Sequence, residues 1–192
     1  MQISYAVENI RRLESVSPIE VRPITILVGR NSAGKSTFLR SLPLIRQSLE
    51  TRSSAPILWF GDSVDFGDFQ TAVSNGENSR EAVFSFKLTD MEGRYRANIS
   101  HNINYSLGYR FRAISVDEIN IRYFVAAEGE KTFLRRITFD IPGEDIYCEI
   151  FYKGRSGVGG ALIVNGDEVL QISQNYEIFC PTSDLFSSPS LI

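Results

Sequence analysis

Residues 29–42 read GRNSAGKSTFLRSL, and this stretch decides the fold of the chain. Its first eight residues match the pattern Gly-x-x-x-x-Gly-Lys-Ser, in which a loop passes directly into a helix. Gly29 and Gly34 allow backbone angles and close approach that a Cβ would prevent, so successive N–H groups can point at phosphate oxygens. A helix that begins near Lys35 adds unpaired N–H donors and roughly half a positive charge. The stretch therefore predicts a site for the phosphates of a nucleotide.

The side chains of this loop have separate predicted roles. We expect Lys35 to act as the catalytic cation on the β- and γ-phosphates, and the Ser36 hydroxyl to bind Mg²⁺. Thr37, the neighbouring hydroxyl, is expected to contact the α-phosphate, and Asn31 is expected to brace the loop. The predicted nucleotide-binding set is Gly29, Arg30, Asn31, Ser32, Ala33, Gly34, Lys35, Ser36 and Thr37.

The sequence before the loop predicts three strands. Apolar and polar residues alternate from Ile3 to Val7, which is typical of a strand with one buried face. Residues 19–21 can form a short second strand. The segment ITILV, residues 24–28, is a nearly continuous apolar run that ends at Gly29. Such a run predicts a central strand covered on both faces.

The sequence after the loop predicts an amphipathic helix. Leu39, Leu42, Ile45 and Leu49 recur at spacings of three and four residues, which predicts a single buried stripe. Pro43 lies inside this pattern and lacks a backbone N–H, so we expect it to kink the helix or end its regular part.

From Pro56 onward the pattern changes to short β-rich segments separated by turn signals at intervals of about ten residues. This spacing favours antiparallel hairpins. The predicted strands cover residues 57–60, 82–88, 95–99, 112–116, 119–125, 134–141, 146–152 and 161–164. We therefore predict an α/β (α+β) chain in three parts: a strand-loop-helix unit over residues 1–55, an antiparallel β-rich lobe over 56–175, and a linker or tail over 176–192.

Composition excludes several classes of function. The formal net charge of −3 offers no overall basic footprint for DNA or RNA. Cys148, Cys180 and His101 cannot supply a zinc site or a disulfide framework, so we expect a reducing cytoplasm. No apolar run approaches the roughly 18 residues of a membrane span, so no membrane partner is expected.

The span ENIRRLESVSPIEVRPITILVGRNSAGKSTFLRSL, residues 8–42, resembles the opening of the ABC-type ATPases of the SMC, RecF and OLD group. Their phosphate loop commonly reads GxNxxGKST. The continuation LPLIRQSLETRSSAPILWFGDSVDFGDFQTAV, residues 42–73, is similar to ATPases of antiphage defence, including Septu-like and retron-associated ones. The residues that match the loop form one by one are Gly29, Asn31, Gly34, Lys35, Ser36 and Thr37.

The resemblance implies a fold, cofactors and a partner. It implies a P-loop NTPase fold, the N-terminal lobe of an ATPase head that takes ATP and Mg²⁺ and carries an antiparallel sheet. Two such heads close head to tail around two ATP molecules, so the implied partner is a second head in a homodimer or higher homo-oligomer. The resemblance leaves open whether a nuclease, DNA or RNA is a further partner. Family members also contact adenine or ribose from the turn after the first strand, here residues 9–12; a plain surface turn is the alternative.

An ABC-type head also needs a signature Ser-Gly motif, a Walker B strand that ends in Asp-Glu, and a switch histidine. No convincing set is found in this sequence. Gln70 is a candidate Q-loop residue, with a surface glutamine as the alternative, and His101 is expected to be a polar hairpin residue. We therefore expect the catalytic C-terminal half to lie beyond Ile192, and the present chain to bind ATP without efficient turnover.

The stretch YSLGYRFRAISVDEINI, residues 105–121, contains weak likenesses of two missing motifs. Residues 106–108 read Ser-Leu-Gly, and residues 113–118 end in Asp117 and Glu118. Polar residues interrupt this region with a period near two, which favours a half-exposed hairpin over a central Walker B strand. Two alternatives stay open. The first is a complete small P-loop NTPase, a GTPase or kinase, that uses Asp117 and Glu118 for Mg²⁺. The second is a β-rich interaction module without nucleotide turnover.

Overall fold

An eight-stranded antiparallel sheet forms the body of the chain. The computed structural model describes residues 1–51, 53, 55–73, 81–91, 94–98, 111–152, 158–164 and 167–174, with only the backbone described for β4, β5, β9 and β10. The elements are β1 (Gln2–Glu8), β2 (Ile19–Val21), α1 (Lys35–Glu50), α2 (Phe69–Ala72), β3 (Glu81–Thr89), β4 (Arg94–Asn98), β5 (Phe111–Ser115), β6 (Glu118–Glu128), β7 (Lys131–Ile141), a 3-10 turn (Pro142–Glu144), β8 (Ile146–Tyr152), β9 (Val158–Val164) and β10 (Asp167–Gln174).

The strand order in the large sheet is β10-β9-β8-β7-β6-β3-β1-β2, and every pairing in it is antiparallel. Strands β4 and β5 pair with each other in a separate two-stranded sheet. The prediction of a large antiparallel sheet is confirmed, although the sheet also includes β1 and β2 from the predicted strand-loop-helix unit and β10 was not predicted. The prediction for His101 and the Ser-Leu-Gly likeness at residues 106–108 lie outside the described residues, as does the predicted tail.

Helix α1 packs on one face of the sheet. Tyr5 of β1 places its ring 5.3 Å from that of Phe38 and donates a hydrogen bond to the Ser41 hydroxyl at 2.9 Å. Burial raises the pKa of the Tyr5 phenol, so it stays a neutral donor. The helix buries Thr37, Phe38, Ser41, Leu44 and Gln47.

The buried face of α1 therefore differs from the predicted stripe, of which Leu42 and Ile45 pack against the edge of the core. Leu39 is exposed, and Leu42, Ile45 and Leu49 are only partly buried. The periodicity of apolar residues missed the buried face because three of its members, Thr37, Ser41 and Gln47, are polar. Ser41 and Gln47 find hydrogen-bond partners inside the protein. The helix also continues through Pro43 to Glu50.

Gln47 explains why the predicted strand at residues 57–60 is a loop. Its side chain is 5% exposed, and its amide nitrogen donates to the carbonyls of Leu58 at 2.7 Å and Val64 at 3.1 Å. Its amide oxygen accepts from the Val64 N–H at 3.0 Å, and the Ser48 hydroxyl accepts from the Leu58 N–H at 2.8 Å. The backbone that a sheet would have paired is thus held by helix side chains.

Replacing Gln47 by Ala is expected to lower the free energy of unfolding by about 2 kcal/mol, because buried backbone groups of Leu58 and Val64 lose their partners. Urea denaturation measures this change. Arg46→Ala is the matched control: its ion pair with Glu50 joins two side chains that are more than half exposed, so no measurable change is expected. Equal stability of the Gln47 and Arg46 variants would contradict the role given to Gln47.

The prediction of a central strand at residues 24–28 is also wrong. This segment pairs with no strand in the described part of the chain. Ile24, Ile26 and Val28 are exposed, whereas Leu27 packs against the core. The phosphate loop is therefore preceded by a segment that has an apolar outer side and no strand partner among the residues described.

Candidate functional site

The phosphate loop closes over the N-terminus of α1, as the sequence predicted. Gly34 is the N-cap of the helix, with φ 88°, and Ser32 also has a positive φ of 62°. The Phe38 N–H donates to the Gly34 carbonyl at 2.9 Å, which closes the first helical turn. No side chain caps this turn in the described residues, and none of its residues is acidic. The first N–H groups and the positive end of the helix dipole thus face the loop without a competing carboxylate.

Lys35 lies folded over the loop. Its ammonium donates to the carbonyl of Gly29 at 2.7 Å and to that of Arg30 at 2.6 Å. These contacts place a cation among N–H donors, which is the arrangement that an anionic ligand requires. Phosphate oxygens are stronger partners for an ammonium than neutral carbonyls, so a bound phosphate can compete for it.

The two hydroxyls after Lys35 differ in exposure. Ser36 is exposed on the first turn of α1, whereas Thr37 is buried. Mg²⁺ binds oxygen ligands and commonly takes part of its set from nucleotide phosphates. No group of three or more acidic, His or Cys side chains suited to a metal ion lies among the described residues. Ser36 is therefore the candidate metal ligand of this site, and the residues present fit a metal bound together with phosphate.

The turn after β1 lies directly against the loop. A Cβ on Gly34 would overlap the Leu13 side chain. Asn9 and Arg11 have positive φ values of 60° and 51°, and the Ile10 N–H donates to the Leu13 carbonyl at 3.1 Å. The Arg11 N–H donates to the Ala72 carbonyl of α2 at 2.7 Å. Leu13 thus brings the turn that contains residues 9–12 close to the phosphate loop, and contact of this turn with adenine or ribose stays a prediction.

Two arginines share one buried aromatic ring beside this turn. The guanidinium carbon of Arg11 lies 4.7 Å from the Phe66 ring centroid, and that of Arg40 lies 5.3 Å from it. Phe66 is fully buried, and the Arg40 guanidinium also donates to the Asp65 carbonyl at 2.7 Å. The sequence carried no signal for this arrangement, because Phe66 is in a loop and Arg40 is on the helix.

Asp117 and Glu118 lie far from the loop. Glu118 pairs in register with Thr89, and Thr89 pairs with Gln2 at the start of β1. The turn that packs on Gly34 follows the other end of β1, and the strand between them is about 20 Å long at 3.3 Å per residue. The Lys87 ammonium, 2.7 Å from the Glu118 carboxylate, lowers the pKa of that carboxyl. The structure does not bring Asp117 and Glu118 together with Lys35.

Gln70 lies in the short helix α2, where its side chain is exposed. Asp68 caps this helix by accepting from the Thr71 N–H at 2.7 Å. Because α2 also supplies the carbonyl that binds the Arg11 N–H, Gln70 is on an element attached to the turn beside the loop. Both the Q-loop and the surface interpretations remain predictions.

A groove of about 580 Å³ lies on the opposite face of the sheet from α1. It contains three cations, each in an ion pair: Lys87 with Glu118, Arg122 with Glu8, and Arg136 with Glu149. Because each of these positive charges is matched by a carboxylate, the groove does not offer the excess of cations that nucleic-acid phosphates attract.

A family model described as "AAA domain, putative AbiEii toxin, Type IV TA system" matches residues 24–145 of this chain. The match covers more than half of the sequence and includes the phosphate loop. No curated protein and no solved structure matches the chain. None of the helices in the described part is long and apolar enough to cross a membrane.

Proposed function

Because the chain belongs to the AAA domain family whose model matches residues 24–145, we propose that it binds Mg-ATP at residues 29–37. The family assignment supports nucleotide binding by a P-loop ATPase domain. The proposal adds the roles of individual residues. In it, Lys35 contacts the β- and γ-phosphates, Ser36 binds Mg²⁺, and the N–H groups of the loop and of the first turn of α1 bind phosphate oxygens.

The observation that carries this proposal is the uncapped N-terminus of α1 with Lys35 folded over it. An N-terminal turn without a side-chain cap has N–H groups available to an anion. Gly34 permits the left-handed backbone and the contact with Leu13 that hold the loop in this position. Bound Mg²⁺ would neutralise charge on the phosphates, and the protein's part is to position them.

Arg11 is the proposed contact for the base or ribose. One face of its guanidinium lies over Phe66, and its backbone is fixed by α2, so the side chain is oriented before a nucleotide arrives. A guanidinium plane can stack on a base. This role extends the loop site to a second element, the turn after β1, which packs on Gly34 through Leu13.

A second ATPase head and a controlled effector complete the proposal. The second head is proposed because residues 8–42 resemble the SMC, RecF and OLD group, in which two heads close on ATP. In this proposal, ATP hydrolysis needs a second head and an acidic residue that orients water, supplied from outside the loop site. A nuclease or DNA-acting effector, and a role in antiphage defence, are proposed on the likeness of residues 42–73.

Calorimetric titration of the purified chain with ATPγS, ADP and AMP in the presence of Mg²⁺ tests the loop site. Binding of ATPγS and ADP is expected, with AMP at least tenfold weaker because it lacks the β- and γ-phosphates that Lys35 contacts. Equal affinity for AMP and ATPγS would contradict the role of the loop. Absence of binding by all three nucleotides would favour the β-rich interaction module.

Replacing Arg11 by Ala is expected to weaken ATPγS binding about tenfold, because the base loses its stacking partner. Arg12→Ala is the matched control, since Arg12 is the exposed neighbour in the same turn. The Arg11 backbone N–H still donates to Ala72 in the variant, so the turn is expected to keep its fold. Equal affinities of the two variants, measured by the same titration, would assign Arg11 a structural role only.

A further inference from the structure

The groove on the sheet face opposite α1 lies over a row of short side chains. Ala6 of β1, Ser85 of β3 and Thr138 of β7 are in one register row across the strands. Arg122 of β6 belongs to the same row, but its guanidinium reaches sideways to the Glu8 carboxylate at 3.0 Å. The short side chains leave a volume of about 580 Å³, which is within the size range of small-molecule sites.

Thr138 on the floor of this groove carries a hydroxyl that lacks a partner. The residue is only 7% exposed, and its hydroxyl makes no hydrogen bond with any other residue that the structure describes. Buried hydroxyls are normally paired, because an unpaired one gives up water without compensation. Since Thr138 lines the groove, a molecule bound there can supply the missing partner.

Two further oxygen acceptors lie beside Thr138. Asp140 is two residues along the same strand and therefore on the same face, and it forms no ion pair within the described ranges. Its carboxylate accepts one hydrogen bond, from the Asn120 amide nitrogen at 3.3 Å. That nitrogen also donates to Glu118 at 3.1 Å, and the Asn120 amide oxygen has no partner in the part of the chain described. An ammonium group, which has three donors and no acceptor, fits these oxygens.

Arg136 lies on the other side of Thr138 along β7 and has donors to spare. Its guanidinium carbon is 3.9 Å from the Phe124 ring centroid, so one face of the group is held by the ring. Its contact with the Glu149 carboxylate is 3.4 Å, longer than the roughly 2.7–2.9 Å of a charge-assisted hydrogen bond. A guanidinium has five N–H donors, and this one contact is the only pairing of Arg136 among the described residues. A carboxylate can accept two of the remaining donors side by side.

We propose that the groove binds a small zwitterion with a primary ammonium group at one end and a carboxylate at the other. The ammonium donates to Asp140, Asn120 and Thr138, and the carboxylate accepts from Arg136. The two charges of the ligand lie apart, because Arg136 and Asp140 are each about 7 Å along the strand from Thr138. A ligand with only one charge would pair with one end of the groove and leave the other end unpaired. This site lies on the opposite face of the sheet from α1, so it does not rest on the proposed nucleotide site.

Nuclear magnetic resonance titration of the ¹⁵N-labelled full chain tests the proposal. The probe is 6-aminohexanoate, which carries the two charges at the ends of a flexible apolar linker. Its addition is expected to shift the backbone amide signals of residues 136–140 in a saturable way. Hexanoate lacks the ammonium and hexylamine lacks the carboxylate, so each is expected to bind at least about tenfold more weakly.

Three variants locate the ligand. Asp140→Asn is expected to weaken 6-aminohexanoate binding about tenfold and to remove its advantage over hexanoate. Thr138→Val is expected to weaken binding several-fold and to raise the midpoint of urea denaturation, because it removes a buried hydroxyl without a partner. Thr132→Val makes the same change on β7 outside the groove, so unchanged affinity is expected.

Several results would overturn the proposal. One is the absence of saturable shifts at residues 136–140, and another is equal affinity for 6-aminohexanoate, hexanoate and hexylamine. Unchanged affinity in Asp140→Asn would also overturn it. A Thr138→Val variant that lost stability and kept its affinity would assign the hydroxyl to the fold and remove it from the site. The three titrations of the wild-type chain need no variant, so they decide the proposal even where a substitution prevents folding.

Discussion

Replacing Lys35 by Ala is expected to weaken Mg-ATPγS binding by up to about 100-fold while the fold is retained. The ammonium is the cation placed over the loop, and a charge-assisted hydrogen bond to phosphate is worth up to about 3 kcal/mol, or roughly a factor of 100. Its present partners, the carbonyls of Gly29 and Arg30, belong to exposed residues and can bind water instead. Calorimetric titration and urea denaturation measure the two effects.

Lys87→Ala is the matched control for this prediction. Lys87 pairs with Glu118 at the other end of β1, so its loss is expected to leave nucleotide affinity unchanged. Unchanged affinity in the Lys35 variant would refute the proposed site. Phosphate release from ATP, measured beside binding, separates two outcomes. Binding without turnover would indicate a head whose catalytic residues lie elsewhere. Lys35-dependent turnover by this chain alone would contradict that interpretation and require an acidic residue nearer to Lys35 than Asp117 and Glu118.

Gly34→Ala is expected to lower the free energy of unfolding by about 3 kcal/mol and to abolish nucleotide binding. Its φ of 88° is unfavourable for any residue with a Cβ, and that Cβ would overlap the Leu13 side chain. Both effects act on the same loop, because relief of the overlap moves the turn after β1 away from the N-terminus of α1. Urea denaturation and calorimetric titration of the same preparation measure them.

Gly143→Ala provides the comparison. A Cβ at Gly143 would meet no atom within 4 Å, and its φ lies outside the left-handed region, so little change in stability or affinity is expected. If Gly34→Ala retained wild-type stability, the contact between Leu13 and the loop would have no energetic role. If the Gly34→Ala variant lost stability but kept wild-type nucleotide affinity, the position of the loop would not be required for phosphate binding.

The local elements of this fold could be predicted from the sequence where short-range chemistry decides them. The phosphate loop and the start of α1 could be predicted from Gly34 and Lys35. A glycine N-cap and the helix start after it depend only on residues adjacent in the chain. The antiparallel hairpins follow from alternation and from turn residues. The pairing of β6 with β7 joins neighbours in sequence, so the choice of partner needed no long-range information.

Two features could not be predicted because distant residues decide them. The buried face of α1 includes Ser41 and Gln47, whose partners are Tyr5 and the loop at Leu58 and Val64. A prediction from apolar periodicity places such polar residues on the exposed face of the helix. Residues 57–60 have the composition of a strand, yet helix side chains hold their backbone in a loop.

The sequence by itself determined the phosphate loop, the helix that follows it and the antiparallel character of the sheet, because each depends on backbone preferences and on residues close in the chain. Only the tertiary structure decided that the turn at Arg11 packs on the loop, that Arg11 and Arg40 both lie over the Phe66 ring, and that the 24–28 segment pairs with no strand in the described part of the chain. These arrangements depend on which surfaces meet across the fold. A local pattern specifies that a surface must be covered, and the partner that covers it is fixed by packing between distant segments.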